Sequence, residues 1–251
     1  MSSARRILYF LLPFGVLLLA WAVLSGTGRL NAFILPPPES VFRALGQSLV
    51  SGELVRDMAS SLQRVGIGFL IALVTAVPLG ILLGTSPRAR VLADPLLKFL
   101  RPIPPIAWIP LAIVWFGIGN GPSYFLTMVA SFFPILTNTF SGVEGVSRQH
   151  MAVAHCFQAS KASILTDIVL PSALPMIISG IRTGFGFAWM AVVAAEMIAT
   201  RSGLGYLIYT SQDMLRTDRV LVGMLAIGLI GFLVDTVIVM ARDRWVHWGN
   251  Q

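Results

Sequence analysis

The sequence predicts an all-α polytopic membrane protein of about six transmembrane helices, and two observations carry that prediction. Of 251 residues, 56% are hydrophobic and only 12% are charged, about half the charge of a soluble domain of this size. The apolar residues also fall in continuous blocks close to the ~20 residues that a helical span needs, without the alternation of a membrane β-strand. The excess of 18 Lys+Arg over 11 Asp+Glu forms no basic cluster interleaved with aromatics. It therefore reads as loop charge at a membrane surface, not as a nucleic-acid footprint.

The first predicted span is 7–25. Arg5 and Arg6 precede it as they would a signal peptide, but the apolar run exceeds the roughly 7–15 residues of such a segment, so an uncleaved span is expected. Pro36 to Pro38 cannot continue a helix, and Glu39 to Leu62 has the pattern of one short amphipathic helix on the outer side. The second span, 65–84, closes at the turn sequence Gly-Thr-Ser-Pro of residues 84–87.

The third span, 103–119, lies in RPIPPIAWIPLAIVWFGIG. Its prolines each remove a backbone donor, and such backbone survives at membrane depth only when buried in protein or lining a cavity. Two readings follow: a kinked packing helix, or an irregular gate in which Pro104, Pro105 and Trp108 flank a path. The fourth, fifth and sixth spans are 123–142, 176–199 and 220–240. Gly80 with Gly84, and Gly180 with Gly184, are small-residue pairs that let helices approach within one subunit.

Ionisable groups inside spans need partners. Arg182 and Asp235 both fall ~8–9 Å inside the cytoplasmic ends of their spans at ~1.5 Å per residue, and a buried ion pair between them is expected, with independent snorkelling to the interface as the alternative. Glu196, Asn138 and Trp189 join Trp108 as side chains that could face a path, with ordinary packing or a hydrogen-bonded structural carboxylate as the alternative. Placing the N-terminus inside puts ten of the 18 Lys+Arg in cytoplasmic parts, which sets both termini in the cytoplasm.

Other chemistry is missing. Lys98 and Lys161 follow Leu97 and Ser160, so no Gly-Lys-Ser/Thr phosphate loop exists. His150 and His155 are five apart and Cys156 is the single cysteine, which matches neither a metal set nor a disulfide. No catalytic residue and no metal site are expected. A secondary transporter or channel would call for inverted repeats and acidic residues near the midplane. A membrane-embedded enzyme would call for a clustered nucleophile or metal set. The sequence displays none of these.

What remains is a polar loop, 143–175, within a single transmembrane domain of 1–251. Its core, MAVAHCFQASKASILTDIVLPSALP, runs from Met151 to Pro175 with helical periodicity and small residues. It resembles the cytoplasmic EAA loop of type I ABC importer permeases. LLKFLRPIPPIAWIPLAIVWFGIGNG, FFPILTNTFSGV and AWMAVVAAEMI resemble the nitrate/sulfonate/taurine/bicarbonate branch of that family, over about residues 35–240. The resemblance implies the permease fold, with coupling helices seated in a groove of a cytoplasmic ATPase that holds ATP and Mg. This chain would itself be no enzyme and carry no cofactor. It further implies an extracytoplasmic binding protein, a second copy of the chain, a bacterial inner-membrane location, and a small anionic solute moved by alternating access. A sulfonate such as taurine is favoured, with nitrate or bicarbonate as alternatives.

By the same likeness the coupling residues are Met151, Ala152, Val153, Ala154, Phe157, Gln158, Ala159 and Ser160, with Leu170 and Pro171 closing the loop. The family's glutamate falls on Ala152 and its glycine on Gln158, so the geometry of the joint is expected to differ from that of its relatives.

Overall fold

The computed structural model describes residues 3–27, 31 and 33–245, and every regular element among them is helical. In chain order these are α1 (Ser3–Gly26), α2 (Pro38–Val50), α3 (Glu53–Thr85), α4 (Pro87–Leu100), a 3-10 turn (Pro105–Trp108) leading into α5 (Ile109–Phe116), and α6 (Asn120–Glu144). Then follow α7 (Arg148–Cys156), α8 (Lys161–Ala199), α9 (Leu204–Asp213) and α10 (Thr217–Trp245).

The prolines before α2 start that helix, with Pro38 in its first turn, where no amide donor is needed. The single outer helix expected over Glu39–Leu62 is two helices. Gly52, at φ +72°, turns the chain between α2 and α3, and α3 then runs for 33 residues, about 50 Å. At its other end the turn read from Gly-Thr-Ser-Pro is real. Ser86 leaves the helical region, its Oγ accepts from the Ala89 amide, and Pro87 opens α4.

Four helices, α3, α6, α8 and α10, are long and apolar enough to cross a membrane. The expected third span, 103–119, contains only the Pro105–Trp108 turn and α5, short of the ~20 residues a span needs. α4 and the Pro105–Phe116 stretch meet at 84°, because Pro102, Pro104 and Pro105 supply no amide donors where the helix would have to continue. Counted as one broken span they make a fifth. The apolar part of α1, Leu12–Gly26, is shorter than the other candidates, so the count of six is not reproduced.

At the centre α6 is flanked by α3 and α8, both pressed close by small residues. Gly68, Ala72, Ala76, Gly80 and Gly84 recur every fourth residue of α3 and therefore share one face. A Cβ added at Gly68 would stand 2.6 Å from Thr127 Cβ, and one at Gly80 would stand 2.7 Å from Thr139 Cβ. On α8, Gly180 meets Asn138 at 2.8 Å and Gly184 meets Ile135 at 2.8 Å by the same construction. Both glycine pairs noted in the sequence thus serve packing inside the chain, where close backbone approach replaces large side chains.

The broken α4–α5 pair climbs α6 in the opposite direction. Arg90 near its start pairs with Glu144 at the end of α6 and covers the Phe140 ring at 4.7 Å. Near its finish, Trp108 and Trp115 pack edge-on against Phe125. The break at 101–104 therefore falls beside the middle of α6.

Candidate functional site

Three places in this frame bear on function: the α7 joint, a buried polar hub at the opposite end, and a cleft at the α4–α5 break.

The joint is built by α7 and the first turns of α8. Ala154, 5% exposed, is buried, while Met151, Ile164 and Leu165 pack against a cluster of Val143, Val169, Ala173 and Ile177. That cluster fixes α7 to the ends of α6 and α8. The opposite face carries Ala152, Val153 and Phe157 outward, with Phe157 83% exposed.

The α7 helix ends in a Schellman-type turn: the Ala159 amide bonds the Ala154 carbonyl at 3.0 Å, five residues back. Gln158 takes the left-handed conformation this requires, φ +53°. Ser160 then caps the following helix, its Oγ accepting from the Ser163 amide at 3.1 Å. Leu170 and Pro171 are half-buried and sit just past a π-turn, Ile164–Val169, in which the Leu170 amide reaches back to the Leu165 carbonyl. Pro171 explains the wide turn, since a regular helix would drive its ring into the carbonyl of Asp167. Of the ten residues expected in the joint, then, Met151, Ala154, Leu170 and Pro171 serve as its mounting. Ala152, Val153 and Phe157 present the outward face, and Gln158, Ala159 and Ser160 shape the turn between its helices.

At the hub, Glu196 has the geometry of the second of its two expected roles, a hydrogen-bonded structural carboxylate: it is 0% exposed. Its carboxylate accepts from Arg64 Nη1 at 2.7 Å, from Ser61 Oγ at 2.8 Å and from the Gly205 amide at 3.0 Å. Arg64 completes its fork on Asn120 Oδ1, the Ser202 carbonyl and Ser202 Oγ. Ser61 Oγ also accepts from the Leu204 amide, and Asp57 accepts from the Gly203 amide. α3, the start of α6, the end of α8 and the turn into α9 are tied at one point. Gly203 (φ +106°) and Gly205 are required there, because a Cβ at either would collide with Glu196. Trp189 likewise has the surroundings of the packing alternative. It is 6% exposed, stacked on Phe185, and donates Nε1 to the Ile227 carbonyl at 3.1 Å. In sequence Arg64 stands just before the predicted second span, 65–84, where a cation reads as loop charge. The spacing Asp57, Ser61, Arg64 places all three on one helical face, and that signal was available.

Arg182 and Asp235 form a two-pronged ion pair, Nε–Oδ1 2.6 Å and Nη2–Oδ2 2.8 Å. The pair is on the surface of the chain, 46% and 43% exposed, not buried within it as expected.

The cleft, about 280 Å³, opens beside the break. Pro105 and Asn138, two of the six path candidates, line it. Pro104 is exposed next to Pro105, and Trp108 is half-buried against Phe125. Among the described residues no cluster of His, Cys, Asp or Glu could hold a metal.

Residues 76–246 match the family model described as "Binding-protein-dependent transport system inner membrane component". A protein of Methanocaldococcus jannaschii put forward as an ABC transporter permease is 42% identical over 223 residues, 87% of this chain and 84% of its own length. The taurine transport system permease protein TauC of Escherichia coli is 33% identical, over 99% of this chain and 92% of its own length. The bicarbonate transport system permease protein CmpB of Synechococcus elongatus is 32% identical, over 91% and 85%. Among solved structures, the MetNI methionine ABC transporter in an inward-facing form aligns at a TM-score of 0.63. That alignment has 17% identity and covers 76% of this chain and 97% of the other, a likeness of fold.

Proposed function

The chain belongs to the family of inner-membrane components of binding-protein-dependent transport systems, and from that premise we propose how its parts work. It is the membrane-spanning permease subunit of an ABC importer, and ATP hydrolysis resides in a separate subunit. The proposal concerns solute, joint and assembly.

The α7 joint docks the cytoplasmic ATPase. One observation carries this: the outward apolar pair Val153 and Phe157 on a helix whose inner face is locked to the bundle by Ala154 and Met151. A helix so mounted transmits force, because a push on its outer face cannot be absorbed by local rotation. The ATPase with its ATP and Mg presses there, the spans swing as rigid bodies, and a binding protein delivers solute at the hub end. Both termini then lie in the cytoplasm, the loop 143–175 is the coupling loop of one transmembrane domain of 1–251, and two copies form the path. The solute is a small anion, a sulfonate such as taurine before nitrate or bicarbonate, by analogy with the relatives.

The test is Phe157→Glu with the ATPase co-expressed. Charging an exposed residue spares the bundle, whereas Ala154→Asp would disrupt packing first. Loss of ATPase co-purification, with a monodisperse permease, is the expected result. Retention at wild-type stoichiometry, with solute-stimulated hydrolysis intact, refutes the docking assignment.

A further inference from the structure

We propose that Arg101 makes the cleft at the α4–α5 break a contact site for a small organic oxyanion in transit, an assignment that rests on the permease reading and names the side chain that meets its solute. In sequence Arg101 stands just before the predicted third span, 103–119. The structure puts it at the end of α4, where helix gives way to the irregular 101–104 stretch, and the cleft it lines reaches Thr137 and Asn138 of α6 and Thr183 of α8. Thr183 lies near the middle of α8 and Thr137 and Asn138 in the second half of α6, and Arg101 is exposed, so its guanidinium is open to whatever enters the cleft.

Its neighbours are accounted for: Arg90 holds Glu144, Lys98 holds Asp94 and Arg182 holds Asp235. No such partner is recorded for Arg101 among the described residues, which leaves its planar donor fork for a ligand. The other polar groups in the cleft are partly spent. Thr137 donates to the Phe133 carbonyl, Thr183 to the Ser179 carbonyl and Asn138 to the Pro134 carbonyl. They retain acceptor oxygens and one amide N–H of Asn138. Phe133 and Phe187 supply apolar wall. The free guanidinium, the remaining Asn138 N–H and the apolar surface suit an oxyanion carried on a short hydrocarbon body, such as a sulfonate. They suit a fully hydrated inorganic ion less well, since it would lose water to the apolar wall without compensation.

The experiment uses the complete transporter, permease with its ATPase in proteoliposomes and the binding protein supplied on the delivering side, in a Cys156→Ser background with Asn138→Cys as reporter. Thr183→Cys serves as a second reporter should the first fail to assemble. Two thiol reagents of similar size are compared, 2-sulfonatoethyl and 2-(trimethylammonio)ethyl methanethiosulfonate. The sulfonate-to-ammonium rate ratio is expected to drop about tenfold on Arg101→Gln and to stay near the parental value on Arg101→Lys. A ratio indifferent to residue 101, or a reporter that neither reagent reaches, overturns the site. In parallel, Arg101→Gln is expected to cut ATP-driven import of radiolabelled taurine while the ATPase stays bound, and undiminished import overturns it equally. If the parental transporter imports no sulfonate, the solute reading above fails, and the reagent ratio still decides the site.

Discussion

Gln158 shows how one backbone angle can hold a turn under strain. A non-glycine residue in the left-handed region costs about 1 kcal/mol, yet the turn closing α7 needs that conformation. Gln158→Gly should raise the thermal midpoint of the purified permease slightly and leave ATPase coupling intact. Gln158→Val, β-branched at φ +53°, should lower both. Residue 158 therefore sets the strain in the turn, and glycine there would relieve it. Glu196 is the harsher case. Glu196→Ala would strand the Arg64 guanidinium, 5% exposed, without its carboxylate, at a cost of about 3–5 kcal/mol. The double variant Arg64→Met with Glu196→Met should recover part of that loss, as a thermal-shift series in detergent would read. Sequence spacing found the Arg182–Asp235 pair because both residues lie the same distance into spans. It missed Arg64 because a cation near a predicted boundary looks like loop charge until the carboxylate 132 residues away is brought beside it.

At the scale of elements, hydrophobic blocks marked α3, α6, α8 and α10 from composition alone, and Ser86-Pro87 marked a true break. Two elements escaped for physical reasons. Continuous helix over Glu39–Leu62 was a fair reading of periodicity, but periodicity carries no information about the positive φ of Gly52. The proline run was seen as irregular, yet the 84° bend it produces depends on how α4 and α5 each find a surface on α6. The contacts of α6 are set by small residues, which gives a direct test. Gly68→Leu and Gly180→Leu each force a large side chain against Thr127 or Asn138 and should destabilise by about 1–3 kcal/mol. Gly186→Leu, whose Cβ meets nothing within 4 Å, should be near neutral. Unfolding in a denaturant titration orders the three.

Across the whole molecule the two ends are fastened differently. The hub joins α3, α6, α8 and the turn into α9 by directional polar bonds, while the joint end is held by the apolar cluster around Val143, Val169 and Ala173. Between them α6 is the least apolar of the four long helices and the most enclosed. Its Ser131, Thr137 and Asn138 spend hydrogen bonds on their own helix, and its Thr127 and Thr139 abut α3 glycines. This has a consequence for biogenesis. A segment so polar gains little from lipid by itself, so α6 should partition into the bilayer only with α3 already there to receive it. In a glycosylation-tag assay of nascent chains, α6 presented alone should be left outside the membrane in a large fraction of molecules, α3 alone should integrate, and the tandem should integrate both. Gly80→Leu, by spoiling the receiving face, should return α6 to the lumen even though it makes the chain more hydrophobic.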